Sequence, residues 1–138
     1  MHLKDSAFYK LVLEEHKFNF GTLYFFDSII VSEINEGVLF DYQMAEEINE
    51  QKDKFYTLSN QDLDFISNRV NNYALIPQDW MKYTQKYNCF KSYVVVPYSK
   101  TAASNIDVEK FFYKKPIISL DNLVEAFDFV SLSVPEKN

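Results

Sequence analysis

The residues with the most chemistry in them lie between Asp64 and Trp80, in the run Asp-Phe-Ile-Ser-Asn-Arg-Val-Asn-Asn-Tyr-Ala-Leu-Ile-Pro-Gln-Asp-Trp. This stretch holds the only arginine, Arg69, the only tryptophan, Trp80, and the densest group of asparagines, Asn68, Asn71 and Asn72. Arginine offers a planar fork of donors that matches a carboxylate or phosphate, and asparagine offers a donor and an acceptor side by side. As local structure, Phe65 to Asn68 reads as a short strand, Arg69 to Tyr73 as a polar turn, and Pro77 as the first turn of a helix, because its fixed φ is already helical.

In open α/β sheets the carboxyl ends of the parallel strands meet along one rim, where ligands tend to bind. That rim is predicted to collect Asn68, Arg69, Asn71, Asn72 and Tyr73 from the first such strand, Tyr98, Ser99, Lys100 and Thr101 from the second, and Asp121 from the third. Trp80 and Tyr83 would stand on the helix beside it. The helix N-terminus near Pro77 would favour an anion by up to about 1 kcal/mol. The same residues also have a structural reading, in which Asn and Ser satisfy turn backbone and cap helices while Arg69 pairs with a local acid.

Other chemistries lack their parts. Gly21 and Gly37 are the only glycines, too few for a G-x-G-x-x-G or Walker A phosphate loop. His2 and His16 have no second His or Cys near them in sequence, so no metal site is expected. No G-x-S-x-G elbow marks a nucleophilic serine. The carboxylate pairs Glu14 and Glu15, Glu46 and Glu47, and Asp62 and Asp64 read as solvated faces. Cys89, the lone cysteine, reads as a small buried hydrophobe that forms no intramolecular disulfide. No catalytic residue and no cofactor is expected.

The elements that must position the rim follow from the pattern along the chain. Phe8 to Glu14 alternates and is predicted as an edge strand. Phe18 to Phe26 and Ile29 to Ile34 form an antiparallel hairpin turning at Asp27-Ser28, and Asn35-Glu36-Gly37 closes it. Asp41 caps a helix with Met44, Ala45, Ile48 and Phe55 on its apolar stripe and Glu46, Glu47 and Glu50 toward water. The second helix runs from Pro77 to about Tyr87, with Trp80, Tyr83 and Tyr87 on one face. Ser92 to Val96 is continuously apolar, as in a strand covered on both sides, and is predicted as the sheet's centre. Ser104 and Asp107 would open a third helix that Pro116 stops. Ile117 to Leu120 would be the last strand, and Asp121 would cap a final helix carrying Leu123, Val124, Phe127 and Val130. The fold class is therefore α/β: a mixed sheet with an antiparallel N-terminal hairpin followed by parallel βα units joined by right-handed crossovers. All 138 residues belong to one domain, with a core from about residue 18 to 130 and a frayed tail from Val134.

The totals narrow the partner classes. A net charge of −6 argues against nucleic acid, which is bound through clustered Lys and Arg. No apolar run approaches the roughly 20 residues of a membrane helix, and no secretory signal is evident, so a cytoplasmic location without integral membrane association is expected. Aromatic residues make up 17% of the chain, which fills the core and leaves a surplus for self-association as a homodimer or other homo-oligomer.

Several segments resemble a known family. Phe20-Gly21-Thr22-Leu23, Glu33-Ile34-Asn35-Glu36-Gly37-Val38, Phe65 to Tyr73 and Pro77 are similar to the pattern of short bacterial STAS-like proteins, also described as SpoIIAA-like or STAS/SEC14 domains. The resemblance spans about Phe18 to Val130. It implies a non-enzymatic regulatory module that acts by protein contact, as the anti-sigma-factor antagonists of this fold do around a phosphorylatable Ser or Thr at the start of the second helix. Here that position reads Leu75-Ile76-Pro77-Gln78-Asp79, without a hydroxyl, so the phosphorylation switch is not expected. The partner-facing or ligand-facing residues are then Asn68, Arg69, Asn71, Asn72, Tyr73, Trp80, Tyr83, Tyr98, Ser99 and Lys100. The alternative is a small-ligand binder, for an anion, nucleotide or lipid, with an apolar pocket under the second helix.

Overall fold

A computed structural model describes residues 1–131. Its main sheet has six strands, β1 (Glu14–Phe18), β2 (Gly21–Phe25), β3 (Ile29–Ile34), β5 (Asp64–Arg69), β7 (Ser92–Pro97) and β8 (Ile117–Ser119), in the spatial order β1-β2-β3-β5-β7-β8. β2 runs antiparallel to both β1 and β3, and β3, β5, β7 and β8 are parallel. Two short strands, β4 (Leu39–Phe40) and β6 (Ala74–Leu75), form a separate parallel pair above the rim. The helices are α1 (Tyr42–Phe55), α2 (Pro77–Lys86), α3 (Lys100–Phe112) and α4 (Leu123–Phe129). The expected order of an edge strand and antiparallel hairpin, then helix and strand in alternation, is present, with the edge strand shifted along the chain to Glu14–Phe18.

Strand side chains alternate between faces, and this divides the core in two. Val31, Ile66, Val94 and Val96 face α4 and the N-terminal segment, where Leu3, Phe8, Leu123, Ala126 and Phe127 cover them. Ile30, Tyr93 and Val95 face the other way, toward Ile48 of α1 and Ile106 of α3. Gly21 is required by close approach: a Cβ there would lie 2.6 Å from the Glu33 carbonyl oxygen of the paired strand. Gly37 turns the chain at φ +78°, a region that strains other residues.

Several boundaries differ from the sequence reading. Phe8 to Glu14 is not a strand. Tyr9–Leu11 is a 3-10 turn, and Tyr9, Leu11 and Val12 pack on the α4 face, so their alternation records anchoring to the core. The edge strand begins at Glu14. The sheet's centre lies between β3 and β5, and β7 is next to last, buried because helices cover both its faces. Helix α3 starts earlier than Ser104: Ser99 is its N-cap, accepting from the Ala102 amide at 3.1 Å, while the Ser104 hydroxyl donates to the Lys100 carbonyl within the helix. Asn122, rather than Asp121, caps α4 by accepting from the Glu125 amide at 2.9 Å. Asp41 caps α1 as expected, accepting from Met44 at 2.9 Å. The tail from Val134 lies outside the described residues. No helix among those described is long and apolar enough to cross a membrane.

Candidate functional site

Strand β5 continues through Arg69, and that one added residue redistributes the predicted rim. Successive side chains on a strand point to opposite faces, so Asn68 and Arg69 part company. Asn68 turns to the N-terminal side, where its amide nitrogen donates to Glu33 Oε2 at 2.7 Å and to the Met1 carbonyl at 3.0 Å. Glu33, itself buried, also accepts from the Leu3 amide at 2.7 Å and contacts His2 Nδ1 at 3.2 Å. Tyr98 completes this group, its hydroxyl donating to Asn68 Oδ1 at 2.8 Å. The N-terminal residues thus sit over the part of the rim that was expected to be open.

Arg69 turns to the helical side and is 2% exposed. Its Nη2 donates to Glu109 Oε1 of α3 at 2.6 Å, and its Nε donates to Ser67 Oγ at 3.0 Å. The Tyr93 hydroxyl donates to the same Glu109 oxygen at 2.7 Å. Arg69 therefore pairs with an acid 40 residues away rather than with a local one or an external anion. Burial lowers the Arg69 pKa, but the facing oxygens of Tyr73, Glu109 and Tyr93 outweigh it, so the guanidinium stays charged. Burial first and the Glu109 charge second push the Tyr93 hydroxyl far above its ordinary value. Among the described residues, Arg69 Nη1 and Glu109 Oε2 have no hydrogen-bond partner.

The remaining predicted residues stay near the rim but are occupied with each other. Asn71 donates to the Ile34 carbonyl at 3.0 Å, Ser99 Oγ donates to Asn72 Oδ1 at 2.6 Å, and Lys100 is an exposed first residue of α3. Tyr73 is buried, with the Arg69 guanidinium carbon 5.6 Å from its ring centroid. These contacts satisfy turn and cap geometry, and of the predicted rim Asn72, Tyr98, Lys100, Thr101 and Asp121 remain exposed.

A concavity lies one layer in, between the sheet and α2. It has a volume of about 70 Å³. Its floor is Ser32 and Ser67, paired across β3 and β5, with Phe65 and Tyr93 beside them. Trp80, Tyr83 and Thr84 of α2 form the roof, Ala45 and Ile48 of α1 one wall, and Phe90 and Tyr113 another. Neither histidine is part of it. Trp80 stacks on Tyr83 and on Tyr113 at centroid distances of 6.0 and 6.1 Å, and its indole N–H donates to the Glu109 carbonyl at 3.2 Å. Burial raises the pKa of Tyr83 and of Tyr113, so both hydroxyls remain protonated at neutral pH.

Helix α2 is half-buried at Asp79, Trp80, Met81 and Tyr83, with Thr84 buried, and beyond the Trp80 contacts it is fastened at its two ends. At the start, Asp79 Oδ2 accepts from the Tyr42 amide at 2.9 Å and so satisfies an N-terminal donor of α1. At the end, Lys86 and Tyr87 donate to the two Glu46 oxygens, the lysine at 2.9 Å. Hydrogen bonds from Tyr42, Tyr87 and Lys86 lower the Glu46 pKa to about 2. Glu46 is therefore a clasp between α1 and α2, where the helical pattern had placed it toward water.

Trp80, Tyr83 and Tyr73 are the predicted site residues that line this cavity. Sequence reasoning missed Ser32 and Glu109. Glu109 had a signal, because Ala102, Ile106 and Glu109 share one helical stripe and a carboxylate on a buried stripe needs a buried cation. Ser32 had a weaker one, a lone hydroxyl inside the apolar run Ile29 to Ile34. Among the described residues, no three His, Cys, Asp or Glu side chains gather in a way that would hold a metal ion. No family model, curated protein or solved structure matches the chain.

Proposed function

We propose that the chain is a non-enzymatic, cytoplasmic small-ligand-binding module of STAS-like architecture, which holds an apolar ligand between the sheet and α2. The observation that carries this reading is the aromatic cavity of about 70 Å³ over the Ser32 and Ser67 floor. Small-molecule sites are concave, mostly apolar, and furnished with a few polar groups that fix orientation, and this cavity has that make-up. The clasped helix supports the reading as well, since an element held by surface hydrogen bonds opens more readily than one held by a packed core. Thermal shift against short alcohols, single-ring aromatics and medium-chain fatty acids tests it, with Trp80 emission as a second readout from within the cavity. The expected result is saturable binding that Ala45→Leu, which fills the space, abolishes. Absence of saturable binding across the panel in the folded protein overturns it.

A second reading, protein contact with another copy of the chain as partner, is favoured by one observation. Phe111 is 83% exposed near the end of α3, and Val108, one turn earlier, is exposed beside it. Light scattering of the wild type and of Phe111→Ser tests this: a concentration-dependent dimer that the substitution dissociates supports it, and a monomer in both counts against it.

A further inference from the structure

Ser32 sets a hydroxyl on the floor of the cavity. It is 4% exposed and lines the cavity, on the same floor as Ser67. Its neighbour Ser67 is differently placed, since that oxygen accepts from Arg69 Nε and interacts with the Tyr73 hydroxyl. A hydroxyl that opens onto a mostly apolar cavity is the kind of polar group that fixes a ligand's orientation. Because Ser32 lies on the cavity floor, a ligand group that bonds it comes from the cavity side.

The surroundings restrict what that ligand is. Phe65, Trp80, Tyr83 and Phe90 give flat apolar walls. The nearest buried charges, Arg69 and Glu109, lie behind Ser67 and Tyr93 and neutralise each other at 2.6 Å, so no net charge is left to hold an ion. At 10–15 Å³ for each water-sized position, about 70 Å³ accommodates roughly five to seven non-hydrogen atoms. We propose that Ser32 is the specificity-determining contact for a neutral, single-ring ligand that carries one hydroxyl or carbonyl group, phenol being the size class. This assignment rests on the cavity being a ligand site, as argued above.

Phenol and toluene test it, since they have the same number of non-hydrogen atoms and differ by a hydroxyl for a methyl. Affinities measured by calorimetry in the wild type and in Ser32→Ala are expected to show the phenol-to-toluene ratio falling about fivefold in the variant, the equivalent of one net hydrogen bond. Toluene affinity should stay within about twofold, which also certifies that the variant keeps its cavity. Ser32→Cys, which keeps the size and weakens the hydrogen bond, should lower the ratio in the same direction. An unchanged ratio with both probes still bound overturns the role of Ser32 and leaves the cavity reading standing. Failure of the wild type to bind either probe overturns both, and benzoate binding more tightly than phenol overturns the neutral ligand class.

Discussion

Replacing Glu109 by Gln removes the only counter-charge that, among the described residues, pairs with a guanidinium that is 2% exposed. Arginine cannot shed its proton at accessible pH, so the charge stays, still donating to Ser67 but no longer compensated. Breaking one side of a buried ion pair costs about 3–5 kcal/mol. For a domain of this length that corresponds to a fall in Tm of roughly 10–20 °C. The penalty should be the same from about pH 5 to pH 8, since the group responsible does not titrate there. The double variant Arg69→Met with Glu109→Leu removes both charges, and apolar replacement of a complete buried pair is often neutral or stabilising. It should therefore recover most of the loss. Urea denaturation of the wild type, the single variant and the double variant measures all three. If Glu109→Gln costs less than about 1 kcal/mol, or if the double variant is no more stable than the single one, the pair is not the buried, mutually dependent unit described here.

Other outcomes follow from the same structure. The Glu46 pKa is depressed on folding to about 2, so the stability this clasp contributes is present above the unfolded carboxylate value near 4.5 and is lost as the pH falls toward 2. Acid titration followed by circular dichroism should show a shallower loss across that window in Glu46→Gln than in the wild type; equal slopes would remove the clasp from the account. Gly21→Ala places a Cβ 2.6 Å from the Glu33 carbonyl, where backbone rather than a flexible side chain must move. A loss of about 1–3 kcal/mol in denaturant unfolding is expected, and a neutral effect would show that β2 and β3 separate more easily than their pairing implies.

The parts of the fold that were legible were those with strong periodicity and punctuation. Ile29 to Ile34 and Ser92 to Val96 announce strands by their β-branched runs, and Asp41 and Pro77 mark helix starts by capping and by fixed φ. The readings that failed were of a different kind. At Phe8 to Glu14, apolar side chains anchor a 3-10 turn to the sheet, and alternation alone does not distinguish that from a strand. At the rim, the chemistry was read from residue types, whereas the outcome turned on whether β5 ends at Asn68 or at Arg69. Element boundaries are the weakest product of a sequence, and here one residue decided whether an arginine met solvent or the interior. The pocket under the second helix was legible as an alternative because Trp80, Tyr83 and Tyr87 share a face. Its serine floor was not, since it comes from register between strands 35 residues apart in the chain.

The seating of Leu3 against Glu33, and of Met1 against Asn68 and Tyr98, has a bearing on the order of events during synthesis. Those partners emerge from the ribosome 30, 67 and 97 residues later, so the opening segment has no settled place while the antiparallel strands are being made. It can dock only after most of the parallel strands have been translated and paired. A segment made before all of these partners is thus among the last to come to rest, and a nascent chain halted before Tyr98 should leave it open to proteases that spare the finished molecule.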